Sequence, residues 1–144
     1  MTTGSLEASD EAAKAVAKTP NRVSLADIEA NIAYVAYMPG KDFDAIADFE
    51  GTPPGNYADG FVKAVACMTL CVVVLKNGFT IVGKSAPADA ANFNADLGRK
   101  FAREDAIRQI WPLMGYALRE RMTDGRVNLT EHDCQCSSCD EMRR

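Results

Sequence analysis

The residue types with chemical reach gather in two stretches. One is a turn-and-helix segment between Phe79 and Arg119; the other is a tail carrying His132, Cys134, Cys136 and Cys139. In the first, Ser85, Asn92, Phe93 and Asn94 fall in or beside a strand-to-helix turn, and Arg99 and Arg103 follow on the helix. Amides exposed at a helix start attract anions, and the guanidinium fork matches phosphate oxygens. Asparagine pairs with the donor–acceptor edge of adenine, and an aromatic ring stacks on a base. With Phe79 before the turn and Arg119 further along the helix, these are the groups that a nucleotide pocket needs. A blander alternative uses the same residues: Phe93 as a core staple, Asn94 as a cap, the arginines as a solvated helix face.

The tail spells H-x-C-x-C-x-x-C. Four such ligands suit tetrahedral zinc, but structural sites join two separated knuckles and a C-x-C step cramps the geometry. A reduced tail without metal is the simpler reading, and no cofactor is expected. Nucleophilic catalysis needs a base beside the nucleophile and a group that orients it. The single histidine, His132, lies in that polar tail. No phosphate-binding loop of the Walker type and no dinucleotide fingerprint occurs. The expectation is a binder, not an enzyme.

The chain has 144 residues, 47% of them hydrophobic and 25% charged, which fits one domain with a real core. Its net charge is −4. Proteins that hold nucleic acid through its phosphates show a basic face. Here only Arg99, Lys100, Arg103, Arg108, Arg119, Arg121 and Arg126 cluster, enough for a small phosphorylated ligand and thin for a duplex. No apolar run reaches the roughly 18–20 residues of a membrane span. Glu7, Asp10 and Glu11 stand where a secretory signal needs positive charge, and the five cysteines are an odd number. These features predict a protein of a reducing cytosol.

The elements that must position the candidate residues follow from periodicity. Residues 1–22 read as a flexible arm with a transient helix over 11–18. Ser24 is a good N-cap, Asp27 sits three residues on, and Leu25, Ile28, Ile32 and Val35 make one helical stripe that Pro39-Gly40 ends. Residues 41–60 read as an acidic surface loop. Residues 62–76 and 79–84, rich in β-branched side chains and joined by Asn77-Gly78, predict a hairpin with a type I′ turn. The first of these strands is apolar on both faces, so both must be covered. Two strands alone are marginal in water, and the only others in view are weak ones at 57–61 and 126–129. The sheet is therefore expected to be completed by another subunit. A long helix follows over 94–122, capped by Asn94, with Ile107, Trp111, Met114 and Leu118 as its stripe, Leu97 and Phe101 to one side, and a kink or break at Pro112. The predicted architecture is α+β: an antiparallel hairpin-based sheet packed with an N-terminal helix and a long Pro-kinked C-terminal helix, completed by oligomerisation. Residues 23–125 form the ligand-binding domain and 126–144 a polar cysteine-containing tail.

Residues 71–85 (CVVVLKNGFTIVGKS), 92–100 (NFNADLGRK) and 110–119 (IWPLMGYALR), with the helix 23–31 (VSLADIEAN), resemble a family of small phage and prophage proteins. That family includes the first type of Thoeris anti-defence proteins. The resemblance covers about half of the chain. It implies an oligomeric sponge in the host cell cytoplasm that binds cyclic ADP-ribose signals made by bacterial TIR enzymes, and in some members cyclic oligonucleotides, without cleaving them. It also implies that ligand contacts fall on the turn 85–94 and on the helix bearing Arg99, Arg103 and Arg119. Lys84 and Met114 stand where glutamates are common in the family, and Pro87 where a cysteine is frequent. Losing two carboxylates near a phosphate site favours an anionic ligand and also bears on which ligand is held. The competing expectation is a phage protein that inhibits a host protein through its acidic loop at 42–50, with no small ligand. A third is a metal-tailed accessory protein of nucleic acid.

Overall fold

A computed structural model describes residues 5–51 and 57–125. Helix α1 (Leu6–Val16) and helix α2 (Leu25–Asn31) precede strand β1 (Ile32–Pro39) and a 3-10 segment (Gly40–Ala45). Helix α3 (Tyr57–Val65), strands β2 (Thr69–Leu75) and β3 (Thr80–Ser85), a short 3-10 turn (Ala90–Asn92) and helix α4 (Ala95–Thr123) follow. The strands form one antiparallel sheet in the order β1-β2-β3. The α+β class is as expected, and the polar cysteine-containing tail at 126–144, with the weak strand placed at 126–129, lies outside the described residues.

The stretch expected as an arm forms α1, which begins at Leu6 rather than at residue 11. Leu6 is buried in the core, and Asp10 pairs with the Arg22 guanidinium at 2.9 Å. Helix α2 starts where the sequence places it. The Ser24 hydroxyl accepts from the Asp27 amide at 3.1 Å, and the Asp27 carboxylate accepts from the Ser24 amide at 2.8 Å, a complete capping box. Those bonds hold the Asp27 carboxyl below its ordinary value of 3.8, the backbone bond to Ser24 contributing most. Asp27 therefore contributes stability that is present above about pH 4 and lost as pH falls through its lowered value. The Asp27→Asn variant should show a smaller fall in melting temperature than the parent between about pH 5 and pH 3. Equal falls would assign the acid sensitivity elsewhere.

The helix does not run on to Pro39. It ends at Asn31, and Ile32–Pro39 is a strand. Leu25, Ile28, Ile32 and Val35 do share one face, but Ile32 and Val35 reach it through the alternation of a strand. Val35 lies opposite Val73 and Tyr37 opposite Cys71, with a register shift between Ile32 and Tyr34. The strand expected over 62–76 is shorter, because residues 57–65 fold as α3 with Phe61 and Val65 on one side. That also removes the weak strand placed at 57–61. The acidic segment is not merely a solvated loop: Phe43 is buried, and the Phe49 and Phe61 rings meet edge to face at 5.1 Å.

The hairpin is present with a different turn. Lys76–Gly78 is a three-residue loop: the Gly78 amide donates to Leu75 O and the Leu75 amide to Phe79 O. Only Gly78 takes positive φ (84°), whereas a type I′ turn would need Asn77 there too. The Asn77 side chain instead accepts from the Phe79 amide at 3.0 Å.

Thr69, Cys71, Val73 and Leu75 of β2 are buried under α4. The helix meets the sheet through Gly98, Ala102, Ala106, Ile107 and Ile110, while Leu97 and Phe101 remain about half exposed. The stripe expected on larger side chains is thus only partly right. Gly83 explains the shift. A Cβ on it would lie 2.0 Å from Ala102 O and 2.6 Å from Ala106 N, so helix backbone rests directly on strand backbone. Close approach requires small residues on both sides. Ile28, Ile107, Ile110, Val73 and Cys71 are fully buried beside this seam, the large aliphatics contributing roughly 1.5–3 kcal/mol each. No break occurs at Pro112, and α4 is continuous to Thr123. Trp111 donates its indole N–H to Val23 O at 2.9 Å, and Met114 packs against the core, so contacts on both sides of Pro112 offset its missing hydrogen bond.

Candidate functional site

The seam sets α4 with its N-terminus against the sheet end formed by Thr69 and Ser85, which are register partners. The connection 86–94 must double back there. Asp89 caps its short 3-10 turn through the Ala91 amide at 2.9 Å, and Asn94 caps α4 through the Leu97 amide at 3.0 Å. Asn94 therefore does serve as a cap through its oxygen. Its side-chain amide nitrogen is a further donor.

Two concavities flank this turn, and the Phe93 ring belongs to both. The first, about 240 Å³, is lined by Ser85, Pro87, Asn92, Asn94, Leu97 and Phe101 among others. The second, about 230 Å³, is lined by Tyr37, Pro39, Lys41, Thr69, Ala95 and Arg99 besides Phe93. Small-molecule sites span roughly 300–1,000 Å³, so either concavity is small alone and the pair is of the right size. Gly98 keeps the floor low: a Cβ there would lie 2.7 Å from Thr69 Oγ1. Phe93, Leu97 and Phe101 are 38%, 49% and 49% exposed, an apolar patch that the protein leaves open at one place.

The second concavity is cationic. Arg99 lies over the Tyr37 ring at 5.7 Å and forms no ion pair among the described residues. The Tyr37 hydroxyl is pushed up chiefly by burial, with a further rise from Cys71, so it stays a neutral donor. Burial likewise raises the Cys71 thiol. Among the described residues, no histidine, cysteine or carboxylate lines either concavity. The arrangement offers an aromatic wall, hydroxyl and amide donors and two positive groups, which is equipment for holding a planar, anionic ligand.

Of the expected residues, Ser85, Asn92, Phe93 and Asn94 come together as predicted, and Arg99 joins them across Phe93. Arg103 does not. Its guanidinium grips Glu29 through two hydrogen bonds, at 2.8 and 2.5 Å, which tie α4 to α2 and raise its own pKa. Phe79 sits at the hairpin tip, six residues along β3 from Ser85, or about 20 Å. Arg119 lies twenty residues beyond Arg99 on the same helix, about 30 Å away. Met114, whose sulfur accepts from the Asn31 side-chain amide at 3.6 Å, is similarly remote from this site. Tyr37, Lys41 and Thr69 were missed. Tyr37 lay in the stretch read as helix, and only recognising β1 would have brought it to the sheet end.

A family model described as the phage protein (N4 Gp49/phage Sf6 gene 66) family matches residues 23–122. The chain belongs to this family. No curated protein and no solved structure matches it. The family match starts just before the Ser24 cap and ends near the end of α4. It thus contains the whole sheet and every residue of both concavities, and leaves α1 and the tail outside.

Proposed function

We propose that this phage family protein is a sponge. It captures a small cyclic nucleotide signal, of the class of cyclic ADP-ribose isomers or cyclic oligonucleotides, and holds it without cleaving it. The observation that carries the reading is the pair of concavities on either side of Phe93, with Arg99 and Lys41 on one side and amide donors on the other. A base stacked on Phe93 would place phosphates toward Arg99, Lys41 and the positive start of α4 at Ala95. The resemblance of residues 71–85, 92–100 and 110–119 to a phage protein family that includes the first-type Thoeris anti-defence proteins supports the ligand class, and a place in the host cytoplasm would follow from it.

A sponge must out-compete an effector for a scarce signal, so its dissociation constant should lie below about 1 μM, near −8 kcal/mol or better. At a hundredfold excess over that constant, ligand adds about 2.7 kcal/mol of stability. The purified protein should therefore melt several degrees higher with one member of a panel of cyclic ADP-ribose isomers and cyclic di- and trinucleotides, and release it chemically intact on heating. No shift with any of them would remove this reading and favour inhibition of a host protein by direct contact. Release of a cleaved product would make the protein an enzyme.

A further inference from the structure

Arg103 is held by Glu29, yet it stands next to the cationic concavity. Arg99 and Arg103 are one turn apart on α4, so their side chains leave the same face of the helix about 5–6 Å from each other. Arg99 lies over the Tyr37 ring, and Tyr37 walls the concavity. Tyr37 is the register partner of Cys71, which is buried under α4. Burial and Cys71 raise the Tyr37 hydroxyl most, Arg103 and Arg99 pull it down, and Glu29 pushes it up. All three charges therefore bear on one wall of the concavity.

The Glu29–Arg103 pair is open to exchange. Two parallel hydrogen bonds give it its geometry, but its side chains are 31% (Arg103) and 42% (Glu29) exposed, and solvent keeps such pairs weak. Helix α2 does not depend on it for its seat. Ile28 is fully buried, and the Trp111 indole holds Val23 O just ahead of the helix. Nor would Glu29 be left alone if Arg103 moved. Lys100, which forms no ion pair among the described residues, lines the same hollow of about 120 Å³ as Glu29, Arg103 and Glu7. A second cation is thus at hand.

We infer that Glu29 is a specificity-determining residue of the cationic concavity: it withholds Arg103 from a ligand with one phosphate and yields it to a ligand with two linked phosphates. The inference rests on the reading of that concavity as an anion site. A single phosphate is met by Arg99 and Lys41, and offers Arg103 nothing that the Glu29 carboxylate does not. A diphosphate extending along α4 brings a second anionic group toward Arg103, where the summed charge outweighs one carboxylate. Arg103 then rotates about its own stem, and Lys100 takes its place on Glu29. An internal anion so sets a threshold of ligand charge, and discrimination comes from a competitor built into the scaffold.

The probe is inorganic pyrophosphate, with inorganic phosphate for comparison, titrated calorimetrically into the full chain. Neither carries a base, so this test and the thermal screen with cyclic nucleotides fail separately. Glu29→Gln should bind pyrophosphate about tenfold more tightly than the parent, the return from one further charge-assisted hydrogen bond. Its affinity for phosphate should change by less than about twofold, the screened effect of one lost charge. In the double variant Glu29→Gln/Arg103→Ala the gain for pyrophosphate should vanish. Glu104→Gln removes a nearby carboxylate that pairs with Arg108 at 3.6 Å, and should bind as the parent does. Glu29→Gln should also melt slightly lower than the parent, which separates tighter binding from a firmer fold. Should that variant not fold, Glu29→Asp, whose shorter arm weakens the grip, should show a smaller gain of the same sign. Equal pyrophosphate affinity in parent and variant overturns the inference. So does a gain that survives the loss of Arg103, a gain equally large for phosphate, or no pyrophosphate binding by either protein at millimolar concentration.

Discussion

Gly83→Ala is expected to lower the melting temperature by about 10 °C or more, the largest loss from any single added methyl group in the described sheet. The new Cβ would sit 2.0 Å from Ala102 O and 2.6 Å from Ala106 N. Both are backbone atoms, so no side chain can rotate away and α4 must lift from the sheet. Overpacking of this kind costs roughly 1–3 kcal/mol and occasionally more. Lifting α4 would also loosen Ile107 and Ile110, which places Gly83 at or above the upper end; about 3 kcal/mol corresponds to the stated shift for a domain of this size. Gly115→Ala is the control. Nothing lies within 4 Å of its Cβ position, and alanine is the better helix former by about 1 kcal/mol, so that variant should melt slightly higher. Parallel calorimetric scans decide it, and equal melting of Gly83→Ala and parent would show that the helix does not rest on β3 as described.

The second large effect concerns capture. Phe93→Ala should weaken ligand binding by stacking's usual contribution of about 1–3 kcal/mol, which is roughly 5- to 150-fold. Arg99→Ala removes a charge-assisted hydrogen bond worth about 1.5–3 kcal/mol. Because Phe93 is 38% exposed and Arg99 is a surface residue, neither change should unfold the protein. Phe79→Ala and Arg119→Ala, about 20 and 30 Å from this site in the same chain, should bind as the parent does. Titration calorimetry on the four variants, with the ligand found in the thermal screen, gives the comparison. Losses confined to Phe79 and Arg119 would move the site to the other end of the molecule.

What the sequence made legible was whatever depends on neighbours in the chain. The Ser24 cap, the Asn94 cap and the α4 boundaries are local, and each is where the residues put it to within a turn; the hairpin is there too, with a shorter first strand and a different turn. The errors came where two periods fit the same letters. Leu25, Ile28, Ile32 and Val35 match a helical stripe, yet Ile32–Pro39 is apolar throughout and serves equally as a strand once β2 offers an edge. The helix face was misjudged only at its start, for a related reason: Ile107, Trp111 and Met114 do face the core, but hydrophobicity ranks Leu97 and Phe101 above Gly98, Ala102 and Ala106, whereas packing against Gly83 selects for smallness. The site was half legible for the same cause. Its turn 85–94 is contiguous and Thr69 lies on the expected strand, while Tyr37 and Lys41 arrive through a strand that the periodicity concealed. Arg103 shows the converse, since its Glu29 partner is 74 positions away.

The glycine and alanine seam fixes where α4 lies without using any residue between Ala86 and Asn92. Mutational drift in that connection can therefore re-cut one wall of the cavity while leaving the scaffold's folding free energy nearly untouched. Under the sponge reading proposed above, such a scaffold would follow a changing chemical signal by editing a few exposed positions while Phe93 and Arg99 kept their places.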